Sequence, residues 1–211
     1  MREHFLNTIR TARYVTLGDP ATAAEFWFVC HGYGQLAARF LERFRAIEGE
    51  RRCIVAPEAL SRFYLTESPT ERRVGATWMT REDRLHEIDD YVHYLDTLYN
   101  AVAAARAHVT ALGFSQGTAT VSRWSALGTS RIDRLILWGG EVPPDLDLQR
   151  LRMPRVELVY GRGDQFFTPT IVAANEARLR EHHITHETIS FEGGHEIHEP
   201  TLLRIAQHRA L

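Results

Sequence analysis

The feature that most constrains this chain is one pentapeptide, Gly-Phe-Ser-Gln-Gly, at residues 113–117. Small and apolar residues precede it from Val109 onward, and a helix-compatible run follows it over residues 118–127. A G-x-S-x-G sequence between a buried strand and a helix holds the serine in a strained backbone conformation, with its oxygen exposed above the sheet. We therefore predict that Ser115 lies on a sharp strand-to-helix turn and acts as a nucleophile. An ordinary turn rich in glycine and serine is the alternative.

Apolar runs typical of strands alternate with segments of helical periodicity along the chain. The predicted strands cover residues 13–17, 25–30, 52–56, the run before Ser115, 132–138, 156–160 and 186–191. The predicted helices cover residues 35–48, 83–107, 118–127, 169–181 and a last segment through Leu202 and Ile205. Residues 58–82 have no sustained period and are expected to form a long loop that shapes a site. This alternation predicts one α/β domain over residues 1–211, with a mostly parallel sheet, helices on both faces and no large separate lid.

In such a sheet, functional residues belong at the carboxyl ends of the strands, and His31, Ser115, Asp164 and His195 each follow a predicted strand. A serine hydroxyl needs a base to accept its proton during attack. His195 is the candidate base, because it follows a strand and a glycine pair and comes after the nucleophile in the chain.

An acid is needed to orient the imidazole and fix its tautomer. Asp164 is the candidate, although it stands in a Gly-Arg-Gly-Asp turn where it could instead cap the next helix. Asp145 and Asp147 compete for the role, but neither of them ends a predicted strand. The resulting chain order of Ser, Asp, His differs from the orders of chymotrypsin-like and subtilisin-like enzymes.

Attack on a carbonyl creates an oxyanion that backbone N–H groups must stabilise. One donor should be the amide of Gln116, directly after the nucleophile, and the other should come from His-Gly-Tyr-Gly at residues 31–34. Within that turn we predict that the backbone N–H of Tyr33 is the donor, with that of Gly34 as the alternative. The remaining interpretation is a simple turn without a catalytic role.

These motifs resemble those of the phospholipase/carboxylesterase family, small α/β-hydrolases that include the acyl-protein thioesterases. The resemblance runs from about Ala21 onward through His-Gly-x-Gly, Gly-Phe-Ser-Gln-Gly, a Gly-x-x-Asp turn with Phe-Phe-Thr-Pro, and Gly-His-Glu-Ile. It implies the α/β-hydrolase fold, cleavage of carboxylic esters or thioesters through an acyl-enzyme, and no cofactor. It also implies Ser115, Asp164 and His195 as the triad, with the Tyr33 and Gln116 amides as the oxyanion hole.

Two positions depart from the family pattern, which leaves the acyl-chain preference open. Gln35 stands where members often have Asp, and Trp78-Met79 stands where Trp-Phe is common. Trp78, Phe166 and Phe63 are the predicted substrate-binding residues, although aromatic residues are as often plain core. The short chain favours an accessible pocket for small or medium acyl groups. Tyr64, Trp138 and Phe167 are further candidates.

Net charge and composition indicate which kinds of binding partner and which cellular location to expect. The formal net charge of −2 gives no electrostatic footprint for nucleic acid. No apolar run approaches the ~20 residues of a membrane span, and the first 13 residues have no apolar signal segment, so we expect a cytoplasmic protein. Cys30 and Cys53 lie in predicted strands and are expected to be free buried thiols. A monomer and a homodimer are both compatible with the sequence.

Other functions compete for the same residues. A metal site is disfavoured, because His195 and His198 do not have the H-E-x-x-H spacing and His182, His183 and His186 lack a clear carboxylate partner. A binding protein that keeps a hydrolase pocket without catalysis is the main alternative. Acyl transfer or carbon–carbon cleavage on the same triad also stays open.

Overall fold

The computed structural model describes residues 1–66, 70, 72–103, 107–151 and 155–207. In chain order its strands are β1 Tyr14–Leu17, β2 Glu25–Cys30, β3 Arg52–Pro57, β4 Ser61–Tyr64, β5 Val74–Thr77, β6 His108–Phe114, β7 Arg134–Trp138, β8 Val156–Gly161 and β9 His186–Phe191. Seven of them form one sheet in the order β1-β3-β2-β6-β7-β8-β9, and β4 pairs with β5 separately. Only β1 runs antiparallel within the seven-stranded sheet. The predicted mostly parallel α/β sheet is therefore confirmed, with the first strand at its edge.

Helices cover both faces of this sheet. They are α1 Ala37–Leu41, α2 Arg84–Val102, α3 Gln116–Leu127, α4 Pro169–Glu181 and α5 Glu199–Gln207, with 3₁₀ turns at Glu42–Ile47 and Leu148–Arg150. Apolar residues of α2, α3 and α4 form one buried cluster against the sheet. Residues of α1, the first 3₁₀ turn and α5 form a second cluster on the opposite face.

The strands are apolar throughout because both of their faces are buried. In β2, Phe26 and Phe28 belong to the first cluster, whereas Trp27 and Val29 belong to the second. Cys30 and Cys53 are buried and free, as predicted. Within the described ranges, none of the helices has both the length and the apolar character that crossing a membrane requires.

Three segments differ from the sequence-based expectations. The helix predicted over residues 35–48 is a short α-helix whose later half tightens into the 3₁₀ turn. The predicted irregular stretch over residues 58–82 contains the β4–β5 hairpin, while its Pro69 lies outside the described residues. The helix predicted over residues 83–107 ends at Val102, residues 104–106 lie outside the described part, and Ala107 directly precedes β6.

The register of the sheet brings the carboxyl ends of its parallel strands to one edge. Cys30 pairs with Gly113, and Phe114 pairs with Trp138. The chain proceeds from β2 to β3 on one side and later returns to β6 on the other, so a topological switch point lies between β2 and β6. In open α/β sheets, ligands bind at such a point.

Candidate active site

Ser115 occupies the sharp turn between β6 and α3. Its backbone angles are φ 54° and ψ −117°, a combination that residues other than glycine rarely adopt. The Ser115 N–H donates to the carbonyl of Trp138 at 2.9 Å, which ties the turn to β7. A Cβ at position 117 would lie 2.2 Å from the carbonyl oxygen of Cys30, so only glycine lets the helix approach β2 this closely. The strained turn predicted from the pentapeptide is thus present.

Asp164 and His195 meet beyond the ends of β8 and β9. The Asp164 Oδ2 atom lies 2.7 Å from His195 Nδ1, and its Oδ1 accepts the backbone N–H groups of Phe166 and Phe167 at 2.8 and 3.0 Å. Burial raises the pKa of the Asp164 carboxyl, but these hydrogen bonds outweigh it and hold the pKa below its ordinary value. The group is therefore a carboxylate at neutral pH, and it accepts the Nδ1 proton of His195.

Two aromatic rings contact the imidazole of His195. Its centroid lies 4.8 Å from that of Phe114, the residue before Ser115, and 5.0 Å from that of Phe166. In the part of the chain that the structure describes, Ser115 Oγ makes no hydrogen bond, with His195 or with any other group. A nucleophile and its base often come within hydrogen-bonding distance only when substrate is bound.

The two competing aspartates are engaged elsewhere. Asp145 forms ion pairs with Arg84 at 2.6 Å and with Arg123 at 2.9 Å. Asp147 accepts the backbone N–H of Gln149 at 3.0 Å and thereby caps a 3₁₀ turn. Of the three aspartates considered from the sequence, the structure brings Asp164 to the histidine.

The turn after β2 leaves one backbone donor unused. The N–H of Gly32 donates to Gln35 Oε1 at 2.8 Å, and that of Gly34 donates to the carbonyl of Ala76 at 2.9 Å. The Tyr33 N–H between them has no acceptor among the described residues. Gln116 is the first residue of α3, and its N–H, like other amides of a first helical turn, has no acceptor within the helix. The alternative donor, Gly34, is thus already occupied.

His31 lies under this turn as a buried neutral imidazole. Its Nδ1 is 2.8 Å from the carbonyl of Gly32, which can only accept, and its Nε2 is 3.1 Å from the N–H of Ala59, which can only donate. These partners assign the proton to Nδ1. Burial lowers the pKa of His31, in keeping with the neutral form. The ring therefore links the turn after β2 to the chain that follows β3.

The structure corrects the expectation that Trp78 lines the substrate pocket. Its side chain is buried, with 2% of the residue exposed, and its indole N–H donates to the carbonyl of His31 at 2.9 Å. The other two predicted substrate residues lie nearer the surface. Phe166 is 74% exposed beside His195, and the half-buried Phe63 contacts the ring of Tyr33 at 5.2 Å.

The side chain of Gln116 has a role that the sequence did not reveal. Its Nε2 donates to Thr77 Oγ1 and to the carbonyl of Met79, both at 2.9 Å, and its Oε1 accepts the N–H of Trp78 at 3.2 Å. The side chain of Gln116 therefore fastens the end of β5 to α3. A polar residue directly after the serine was the available signal, but its partners lie far away in the chain.

A cavity of about 350 Å³ opens beside His195. Its lining comes from the turn after β2, α1 and the following 3₁₀ turn, the β4–β5 hairpin, Phe114 and the residues after His195. Trp78, Phe63 and Phe166 are outside this lining. Within the described residues, no group of three or more His, Cys, Asp and Glu side chains is arranged to hold a metal ion.

Comparison with solved structures identifies the fold. No protein-family model and no curated protein sequence matches the chain. Acyl-protein thioesterase 2 of Zea mays superposes with a TM-score of 0.72 at 14% identity, covering 93% of this chain and 97% of the other. A carboxylesterase from Mesorhizobium loti gives 0.71 at 21% identity, covering 93% of both chains. Esterase PE8 gives 0.69 at 19% identity over 93% and 95%. The chain has the α/β-hydrolase fold of these proteins.

Proposed function

We propose that the chain is a single-domain serine hydrolase of the phospholipase/carboxylesterase family that cleaves carboxylic esters or thioesters. The observation that carries this proposal is the hydrogen bond between Asp164 and His195, at the same sheet edge as the strained Ser115. Three residue types needed for acyl transfer thus come from three distant segments, in the Ser, Asp, His order of α/β-hydrolases. The folds of the esterase and thioesterase neighbours support the same reaction class.

In the proposed first step, Ser115 Oγ attacks the carbonyl carbon of the ester while His195 Nε2 accepts the hydroxyl proton. Asp164 stabilises the resulting imidazolium through Nδ1–H. The amides of Tyr33 and Gln116 donate to the oxyanion, and the lack of acceptors for them among the described residues supports this role. The imidazolium then returns its proton to the departing alcohol or thiol, leaving Ser115 acylated.

In the second step, His195 Nε2 takes a proton from water, and the hydroxide oxygen attacks the acyl carbon. Collapse of the second tetrahedral intermediate releases the carboxylic acid and returns the proton to Ser115 Oγ. No cofactor enters either step. The cavity beside His195 has room for a small or medium acyl or alcohol group.

Covalent labelling tests the proposal against a non-catalytic binding protein with the same pocket. A fluorophosphonate probe should label the wild-type protein at neutral pH and fail to label Ser115→Ala. Ser122→Ala is a matched control, because that hydroxyl lies on the same helix and donates to the Thr118 carbonyl. Labelling of Ser115→Ala would remove the nucleophile assignment, and no labelling of the wild type would favour the binding protein.

A further inference from the structure

One wall of the cavity beside His195 is strongly basic. Arg39, Arg43 and Arg73 all line it, and Glu196 is the single acidic residue among the described residues of this lining. The protein as a whole has a formal net charge of −2, so this local excess of positive charge does not follow from the composition. Because His195 lines the same cavity, these arginines lie beside the proposed chemistry.

Two of the arginines come from one segment. Arg39 lies on α1 and Arg43 lies four residues later on the 3₁₀ turn that continues it. The two like charges lie close together along one helical segment and repel each other. The neighbouring Glu42 does not offset them, since it forms its ion pair with Arg45 at 2.5 Å. The segment therefore keeps an uncompensated pair of cations at the cavity.

The third arginine faces the cavity from the hairpin. Arg73 precedes β5, and its carbonyl accepts the N–H of Leu65 at 2.7 Å, which closes the hairpin at the cavity wall. In the described part of the chain, the side chains of Arg39, Arg43 and Arg73 make no ion pair or hydrogen bond. By contrast, Arg52 on β3 and Arg134 on β7 each pair with a glutamate.

Glu196 does not neutralise this cluster. Its Oε1 atom lies only 2.9 Å from where a Cβ of Gly193 would be, so the carboxylate is turned back over the 193–194 turn. It forms no ion pair with an arginine among the described residues. The three guanidinium groups are thus available to a ligand.

We propose that the cavity selects anionic esters, in which the acyl or alcohol part ends in a carboxylate or a phosphate. This inference rests on the proposed function and names its substrate class. The apolar part of such a substrate would contact Phe40 and Phe114, and the anionic end would reach the arginines, whose planar donor forks suit carboxylate and phosphate oxygens. Binding the anion would also relieve the repulsion between Arg39 and Arg43.

A matched pair of p-nitrophenyl esters tests the proposal. Hexanoate and the half ester of adipate have the same carbon chain and differ in a terminal carboxylate. At low salt the adipate half ester should have a kcat/KM about tenfold higher, mainly through KM. Sodium chloride at about 0.5 M should remove most of this preference, because the charges are exposed. Competition by free adipate and by inorganic phosphate distinguishes the two anion types.

Arginine variants locate the effect. Arg39→Gln, Arg43→Gln and Arg73→Gln should each raise KM for the adipate half ester several-fold, and should thereby lower the ratio of its kcat/KM to that of hexanoate. Arg51→Gln is the matched control, since this exposed arginine precedes β3 and is outside the cavity lining. Equal kcat/KM for the two esters, with turnover that depends on Ser115, would overturn the anion preference while the proposed function stands.

The remaining outcome separates the two proposals. If neither ester is hydrolysed and the fluorophosphonate probe does not react, the serine hydrolase proposal fails. Calorimetry with adipate and with phosphate then tests whether the cavity binds anions. Binding that is lost in Arg39→Gln and Arg43→Gln would support an anion site. Absence of binding to the wild-type protein would overturn the anion-site proposal.

Discussion

His195 and Asp164 are joined by a 2.7 Å contact in which the carboxylate side chain is 1% exposed and the imidazole is 20% exposed. The Asp164 carboxylate is thus shielded from water, whereas part of the His195 imidazole is open to solvent. The same carboxylate also holds the turn after β8 through the amides of Phe166 and Phe167. One residue therefore orients the histidine and shapes its surroundings.

We expect Asp164→Asn to lower kcat by roughly 10⁴-fold, by analogy with the same change in other triads. The asparagine oxygen can still accept the two backbone amides, but its NH₂ group would favour the wrong tautomer of His195. Steady-state kinetics on a p-nitrophenyl ester would measure this, with thermal unfolding to verify the fold. A loss of merely a few-fold would point to another acid.

Replacing Ser115 by glycine should stabilise the protein while abolishing turnover. The φ of 54° with ψ of −117° is accessible to glycine, and relief of such strain is worth about 1–3 kcal/mol. Ser115→Ala loses the same hydroxyl but keeps the strain, so it is the matched comparison. Chemical denaturation should rank Ser115→Gly above Ser115→Ala, and equal stabilities would contradict the strain.

Acidification should destabilise the protein partly through His31. Burial lowers the pKa of this imidazole in the folded state, whereas in the unfolded chain histidine protonates near ~6.5. The unfolded state therefore binds more protons below that pH, so the contribution is fully present above ~6.5 and is lost as pH falls.

The corresponding measurement compares unfolding free energies at pH 7.5 and 5.5. His31→Gln removes the titration while retaining a donor and an acceptor, so its stability should fall less between the two pH values than that of the wild type. His93→Gln, at an exposed position on α2, should follow the wild type. If the unfolding free energies of His31→Gln and the wild type fell equally between the two pH values, His31 would not be a source of the acid sensitivity.

Gln116→Glu should lower stability by about 1–3 kcal/mol, because the carboxylate loses the donor to the Met79 carbonyl and to Thr77. The backbone amide stays in place, so the fluorophosphonate probe should still react, although more slowly. Gln149→Glu, at an exposed position, controls for the added charge. Unchanged stability in urea would show that the side-chain contacts contribute little.

The sequence predicted the strands and the elbow well because their signals are local. Apolar runs such as Glu25–Cys30 are buried on both faces, and the glycines around Ser115 mark a close approach that few other residues allow. Asp164 and His195 could be located because a parallel sheet brings the ends of its strands together.

The substrate side of the site was harder to predict. The β4–β5 hairpin consists of two four-residue strands, and it is held by contacts to Gly34, Gln35 and Gln116, far away in the chain. Trp78 looked like a pocket residue because it lay in an apparent loop, yet it is buried against His31. The arginine wall combines two segments whose proximity no local pattern encodes.

The attachment of that hairpin separates two properties of the protein. Ala76 exchanges backbone hydrogen bonds with Gly34 and Gln35, and Gln116 anchors the chain just beyond, so the base of the hairpin is fixed to the turn after β2 and to the start of α3. Its outer part, with Leu65 and Arg73, faces the cavity instead. Grafting a different tip onto the same base would give an enzyme engineer a way to change which molecules are accepted without redesigning the reaction centre.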